Sequence, residues 1–183
     1  SKGMDEPPLG DAALHADAPW LPLIHAVLGP DAQELWRGIL DNRPGSDDQE
    51  WHRDGEKLQM AITETCSCIT VFIPLVDFSD PAVGPPTFLE GSHAWTEWHA
   101  QLRKAELAAD GGEALDRART PLLRRGSAIA FDYRTVHRGT ANLTASTPQG
   151  ARNRPMLYVI FAGAGYGLPA AGGAPGIAPP VAV

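Results

Sequence analysis

Apolar and polar residues along this chain fall into short runs separated by glycine and proline. Strand-like runs cover 35–40, 58–65, 66–78, 86–89, 122–123, 127–131, 136–139 and 155–162. The run 58–65 alternates apolar with polar, as a half-buried strand does. In contrast, CSCITVFIPLVDF at 66–78 is continuously β-branched, aliphatic and aromatic, the composition of a strand buried on both faces. Helical spacing is clearest in TEWHAQLRKAELAA at 96–109, where Trp98, Leu102, Ala105 and Ala109 share one face. A shorter helix is predicted over 22–28, stopped by Gly29 and Pro30. Many short strands with turns between them predict a mainly β sandwich or barrel rather than βαβ units.

Composition sharpens this picture. The 183 residues fit one domain, long enough to bury a core without help from disulfides. The 19 glycines and 17 prolines are about a fifth of the chain, against roughly 12% in average usage. Many lie between the runs as punctuation, but the segment 163–183 is mostly Gly, Ala and Pro without charge and reads as a loose tail. The opening 1–18 has few large apolar groups and reads as flexible, which places the domain at 19–162.

Charge removes some function classes. Fifteen basic residues against 22 acidic ones leave a net −7, and the positive residues form no stripe. Binding to a phosphate backbone depends on such a stripe, so nucleic acid is not the expected partner. No apolar run approaches the ~20 residues of a membrane-spanning helix. Cys66 and Cys68 sit too close on one strand face for an unstrained disulfide, and two thiols make a poor metal site. They read as buried thiols in a reducing, cytoplasmic setting.

Candidate chemistry centres on Gln49-Glu50-Trp51-His52-Arg53-Asp54. On an extended backbone, residues two apart point the same way, so His52 and Asp54 offer an imidazole and a carboxylate to one point. A third ligand must come from elsewhere, and His137 in FDYRTVHRG is the leading candidate. Two histidines and one carboxylate on one face of an octahedral ion leave positions open, which suits non-haem Fe(II). On spacing alone His93 in Glu90-Gly91-Ser92-His93 competes, though a turn role suits it better. His15 lies in the polar opening, His25 in the short helix, and His99 on the longer helix where exposure is expected.

Four segments, in order, resemble the phytanoyl-CoA dioxygenase family of Fe(II)- and 2-oxoglutarate-dependent oxygenases. They are Asn42-Arg43-Pro44-Gly45 leading to QEWHRD, then GPPTFLEGSH at 84–93, then GSAIAF at 126–131 with HRGTAN at 137–142, and finally RPMLYVIF at 154–161. The resemblance implies a double-stranded β-helix, or jelly-roll. It implies iron held by His52, Asp54 and His137, and 2-oxoglutarate held by Arg154, with Asn42 a further contact to it. Arg152, two positions earlier, competes for the Arg154 role. A guanidinium suits that role because a buried carboxylate needs a charged, two-pronged partner. The chain departs from the pattern at Glu90, where proline is usual, at Gly139, where some members have a hydroxyl, and at 144–151, which reads as an insertion.

The activity implied is hydroxylation of a C–H bond in a small organic substrate, using dioxygen and releasing succinate and carbon dioxide. Halogenating relatives replace the carboxylate ligand with a small residue, so Asp54 favours hydroxylation. No catalytic residue beyond the metal centre is expected. Gln49, Trp51 and Asp132 are candidates to orient the ligands. Arg53 and Arg134 flank the ligand strands, either solvated or facing an anionic substrate. The alternative is a cupin-like metal-binding domain of a larger protein, non-catalytic or with another reaction.

Overall fold

The apolar run near the C-terminal end becomes a central strand, and the rest of the sheet assembles around it. The computed structural model describes residues 17–54, 65–107, 115–164 and 166. Helix α1 is Leu21–Leu28, and the strands are β1 Gln33–Asn42, β2 Cys68–Pro74, β3 Pro86–Leu89, β4 Ala118–Arg119, β5 Ile129–Asp132, β6 His137–Gly139 and β7 Arg154–Ala162. Helix α2, Trp98–Leu107, lies between β3 and β4. Among the described residues all pairings are antiparallel, in a four-stranded sheet of order β1-β7-β2-β5 and a three-stranded sheet of order β4-β3-β6.

Alternation along β7 explains how one sheet serves two cores. Leu157, Val159 and Phe161 point outward, where they meet Ile69, Val71 and Ile73 of β2 and are capped by Ala18, Trp20 and Ile24 of the α1 region. Met156, Tyr158 and Ile160 point inward, packing with Phe72, Phe78, Val83 and Phe88 between the two sheets. With both faces covered, every residue of β2 is buried, which accounts for the unbroken apolar run in the sequence. Helix α2 covers the second sheet, burying Trp98, Leu102 and Ala105 as its spacing predicted. Burying such side chains contributes roughly 1.5–3 kcal/mol each before chain entropy is counted.

Some expectations need correction. Residues 122–123 form no strand; they lie in a loop whose Leu123 carbonyl accepts from Phe78 N–H at 2.7 Å. The strand there is β4, two residues long and without a sequence pattern of its own. Ala18, placed in the loose opening, is 3% exposed and part of the core. The run 58–65 falls, apart from Thr65, outside the described residues, as do Ala109, His15 and most of the 163–183 tail.

Candidate metal centre

The triad is assembled from two segments far apart in sequence that lie side by side. His137 opens β6, and the segment 49–54 runs beside it in a short antiparallel bridge. His52 N–H donates to His137 O, and His137 N–H to His52 O, both at 2.9 Å. Three residues earlier the same register is locked twice by Gln49. Its backbone N–H donates to Gly139 O at 2.9 Å, and its Oε1 accepts from Gly139 N–H at 2.9 Å. Asp48 extends the latch by accepting from Ala141 N–H at 2.7 Å. These bonds are sequence-local on neither side, since about ninety residues separate the partners.

Ring orientation follows from backbone carbonyls, which can only accept. His52 Nδ1–H donates to Glu50 O at 2.8 Å and His137 Nδ1–H to Thr135 O at 3.0 Å. Each imidazole therefore keeps an unprotonated Nε2 for a metal while a carbonyl holds its other nitrogen, as is usual for ligating histidine. Asp54 Oδ1 lies 3.6 Å from His137 Nε2, and the donor atoms of His52, Asp54 and His137 all fall within 4.8 Å of one another. Among the described residues this is the group able to hold an ion, and its two nitrogens and one oxygen fit Fe(II) with positions left open. Phe72, Phe88 and Phe131 wall in His137, with ring centroids 5.9, 5.6 and 4.9 Å away.

Beside Gly139, two residues along β6 from His137, lies Arg154. It is 4% exposed, and its Nε and Nη1 have no hydrogen-bond partner among the described residues. Its guanidinium lies 5.5 Å from the Phe78 ring centroid. Burial drops its pKa to about 10, partly opposed by Asp41, so the group stays charged at neutral pH. A Cβ at Gly139 would fall 3.0 Å from Gln49 Oε1 and 3.5 Å from Arg154 Nη2. Glycine there leaves free the space on which amide and guanidinium converge. Arg152 behaves differently: it is half-exposed and its guanidinium is taken by Asp80.

Other predicted residues have different occupations. Asn42 pairs with Arg154 in the β1–β7 register, but its Nδ2 donates to Thr140 O at 3.0 Å and its Oδ1 accepts from Ser46. His93 is exposed on a short 3₁₀ turn, and His25 and His99 are exposed on helices. Trp51 lies under the Arg138 guanidinium, 4.6 Å from its ring centroid, and packs with the α2 cluster. Asp132 holds Arg134 at 2.6 and 2.9 Å; burial alone would raise its pKa, but the arginine outweighs this and lowers it. Arg53 and Arg134 are therefore not solvated: Arg53, 3% exposed, donates to Ser92 O at 2.6 Å and Trp95 O at 2.8 Å. Cys66 and Cys68 are free thiols, both pushed up to about 12 mainly by burial.

Three contributors went unread in the sequence. Thr70 Oγ1–H donates to Asp54 Oδ2 at 2.8 Å, and its one visible sign was a hydroxyl inside an apolar run. Tyr158 accepts from Trp36 Nε1–H at 2.6 Å, and its ring lies so close to Gly38 that a Cβ there would meet its hydroxyl at 2.5 Å. Buried Asn142 donates to Asn42 O and Arg152 O, both at 2.9 Å, holding the 142–152 loop against the sheet.

Two facing antiparallel sheets with a histidine–aspartate–histidine group in the mouth define a jelly-roll of the metal-dependent oxygenase type. A model of the phytanoyl-CoA dioxygenase (PhyH) family matches residues 7–150, and the chain belongs to that family. Solved structures share the fold at low identity. The 2-oxoglutarate-dependent epimerase SnoN from nogalamycin biosynthesis has a TM-score of 0.60 at 20% identity, covering 84% of this chain and 62% of its own. EctD from S. alaskensis, crystallised with 2-oxoglutarate and 5-hydroxyectoine, has 0.60 at 19%, covering 85% and 51%. HygX from Streptomyces hygroscopicus, with nickel and 2-oxoglutarate bound, has 0.57 at 13%, covering 79% and 61%. The chain spans from 30% to 62% of the length of such structures.

Proposed function

We propose that the chain is an Fe(II)- and 2-oxoglutarate-dependent dioxygenase that hydroxylates a C–H bond of a small organic substrate. His52, Asp54 and His137 hold the metal, and Arg154 holds the far carboxylate of 2-oxoglutarate. The iron supplies the redox chemistry that couples 2-oxoglutarate and O2, giving succinate and CO2, to conversion of the substrate's C–H to C–OH. The rest falls to this chain's own groups. Carbonyls 50 and 135 hold the Nδ1 protons, so both rings present Nε2. The phenyl wall of residues 72, 88 and 131 excludes water from one side of the site, where charge–charge attraction is then strengthened. Gln49 keeps β6 in register and lines the space beside Gly139 together with Arg154.

The single observation that carries this reading is the buried guanidinium of Arg154, whose Nε and Nη1 have no hydrogen-bond partner among the described residues. A buried cation with no acceptor is costly, and an incoming carboxylate removes that cost. Other metal chemistry would leave the charge unexplained. An aspartate ligand, rather than a small residue, supports hydroxylation over halogenation.

The test is an anaerobic titration of Fe(II)-loaded protein with 2-oxoglutarate, followed by succinate release on admitting air with a panel of small substrates. Arg154→Lys is expected to weaken 2-oxoglutarate binding at least about tenfold, because a point charge replaces a two-pronged clamp. Folded protein carrying one iron that binds no 2-oxoglutarate would end the proposal.

A further inference from the structure

Strand β2 reads CITVFIP, and one hydroxyl stands in that apolar run. Thr70 has no exposed surface; its register partners are Ile160 on β7 and Phe131 on β5. A hydroxyl in such surroundings costs free energy unless it is hydrogen-bonded. Its bond goes to Asp54, and to one oxygen only. Oδ2 accepts from Thr70 at 2.8 Å, whereas Oδ1 is the oxygen 3.6 Å from His137 Nε2. The two carboxylate oxygens thus have separate assignments.

Granting the metal-centre reading above, we propose that Thr70 is a positioning residue that makes Asp54 a one-oxygen ligand, occupying Oδ2 so that Oδ1 alone meets the metal. The consequence is a count of coordination positions. A carboxylate that binds through both oxygens takes two, and with two histidines leaves two of six. One-oxygen binding leaves three, enough for a two-point co-substrate and dioxygen together. Leverage also favours Thr70 in this task. Asp54 lies past the end of the His52–His137 bridge, where no strand holds it. Thr70 sits mid-strand with paired strands on both sides, so the rigid sheet transmits its position to the less regular ligand segment.

The test compares wild type with Thr70→Val, Thr70→Ser and Thr70→Ala. Valine keeps the shape and β-branching of threonine and loses only the donor. Co(II) is titrated into each protein by calorimetry, and the visible spectrum of the Co(II) form is recorded before and after adding 2-oxoglutarate. The valine variant is expected to bind Co(II) about tenfold to a hundredfold more weakly, as for loss of a bond to a ligand, and to show an altered spectrum. Its 2-oxoglutarate affinity should fall with it. Serine, which keeps the hydroxyl, should restore all three readouts; a purely packing role for Thr70 would predict the reverse, with valine closer to wild type than serine. Alanine gives the same answer as valine if the valine variant does not fold. Wild-type Co(II) affinity and spectrum in a folded valine or alanine variant would overturn the proposal. A wild-type chain that takes up no Co(II) would instead overturn the metal-centre reading itself.

Discussion

Strands β2 and β7 meet along an unbroken register from Cys68–Ala162 to Pro74–Met156, with both faces covered by apolar side chains. Segment 48–54 meets its neighbours through separate polar contacts: Asp48 on Ala141, Gln49 on Gly139, His52 on His137 and Asp54 on Thr70. The first region draws its stability from burial, which is non-directional and tolerates small shifts. The second draws position from hydrogen bonds, each weak in net energy but strict in geometry. A metal site needs the second kind of precision carried on the first kind of support. Arg152 and Arg154 repeat the contrast two positions apart in the chain. One guanidinium is half-exposed and partnered by Asp80, while the other is buried, with Nε and Nη1 unbonded among the described residues.

If that division is right, function and stability should separate on mutation. The largest effect is expected from Asp54→Ala, which should reduce succinate release to background while leaving the thermal transition within a few degrees of wild type. A differential scanning measurement beside the succinate assay checks both halves. A collapse of the fold would show instead that the polar segment carries stability.

Next comes Leu157→Ala, which empties space at a fully buried position of β7 and should cost about 3 kcal/mol of stability by denaturant titration. Protein that remains folded should bind 2-oxoglutarate with unchanged affinity, because Leu157 faces α1 rather than the triad. Weakened binding would mean that the two regions are coupled more tightly than their contacts show.

The smallest effect is expected from Arg152→Ala. Its pair with Asp80 is solvent-accessible, so the loss should be under about 1 kcal/mol, with 2-oxoglutarate affinity changed by less than about twofold. A large loss of affinity here would transfer the clamp from Arg154 to its neighbour and remove the main support for the proposed function.

Much of this was legible along the chain, and the reasons differ by element. The buried face of α2 follows from period, because burial selects side chains one by one, whereas β7 is apolar on both faces and shows in the sequence only as a strand-like run. The run 122–123 misled because two leucines in a loop can reach apolar surface without belonging to a ladder; Leu123 joins Phe78 by a single backbone bond. Arg53 and Arg134 misled for a related reason. Charge in a sequence reads as exposure, yet each of these cations has found buried carbonyl or carboxylate acceptors.

The pairing of His52 with Asp54 was readable from their spacing, since the alternation of an extended backbone is a local property. Identifying His137 as the third member took more: spacing left His93 open, and only the ordered set of motifs favoured one over the other. What no stretch of sequence determined was the surroundings that give those groups their chemistry. Arg154 Nε and Nη1 are left unbonded among the described residues, and the bonds of Arg152 to Asp80, Asn42 to Thr140 and Thr70 to Asp54 join residues 72, 98 and 16 positions apart. Local pattern reports which way a side chain points; only the closed fold reports which partners are left when it arrives.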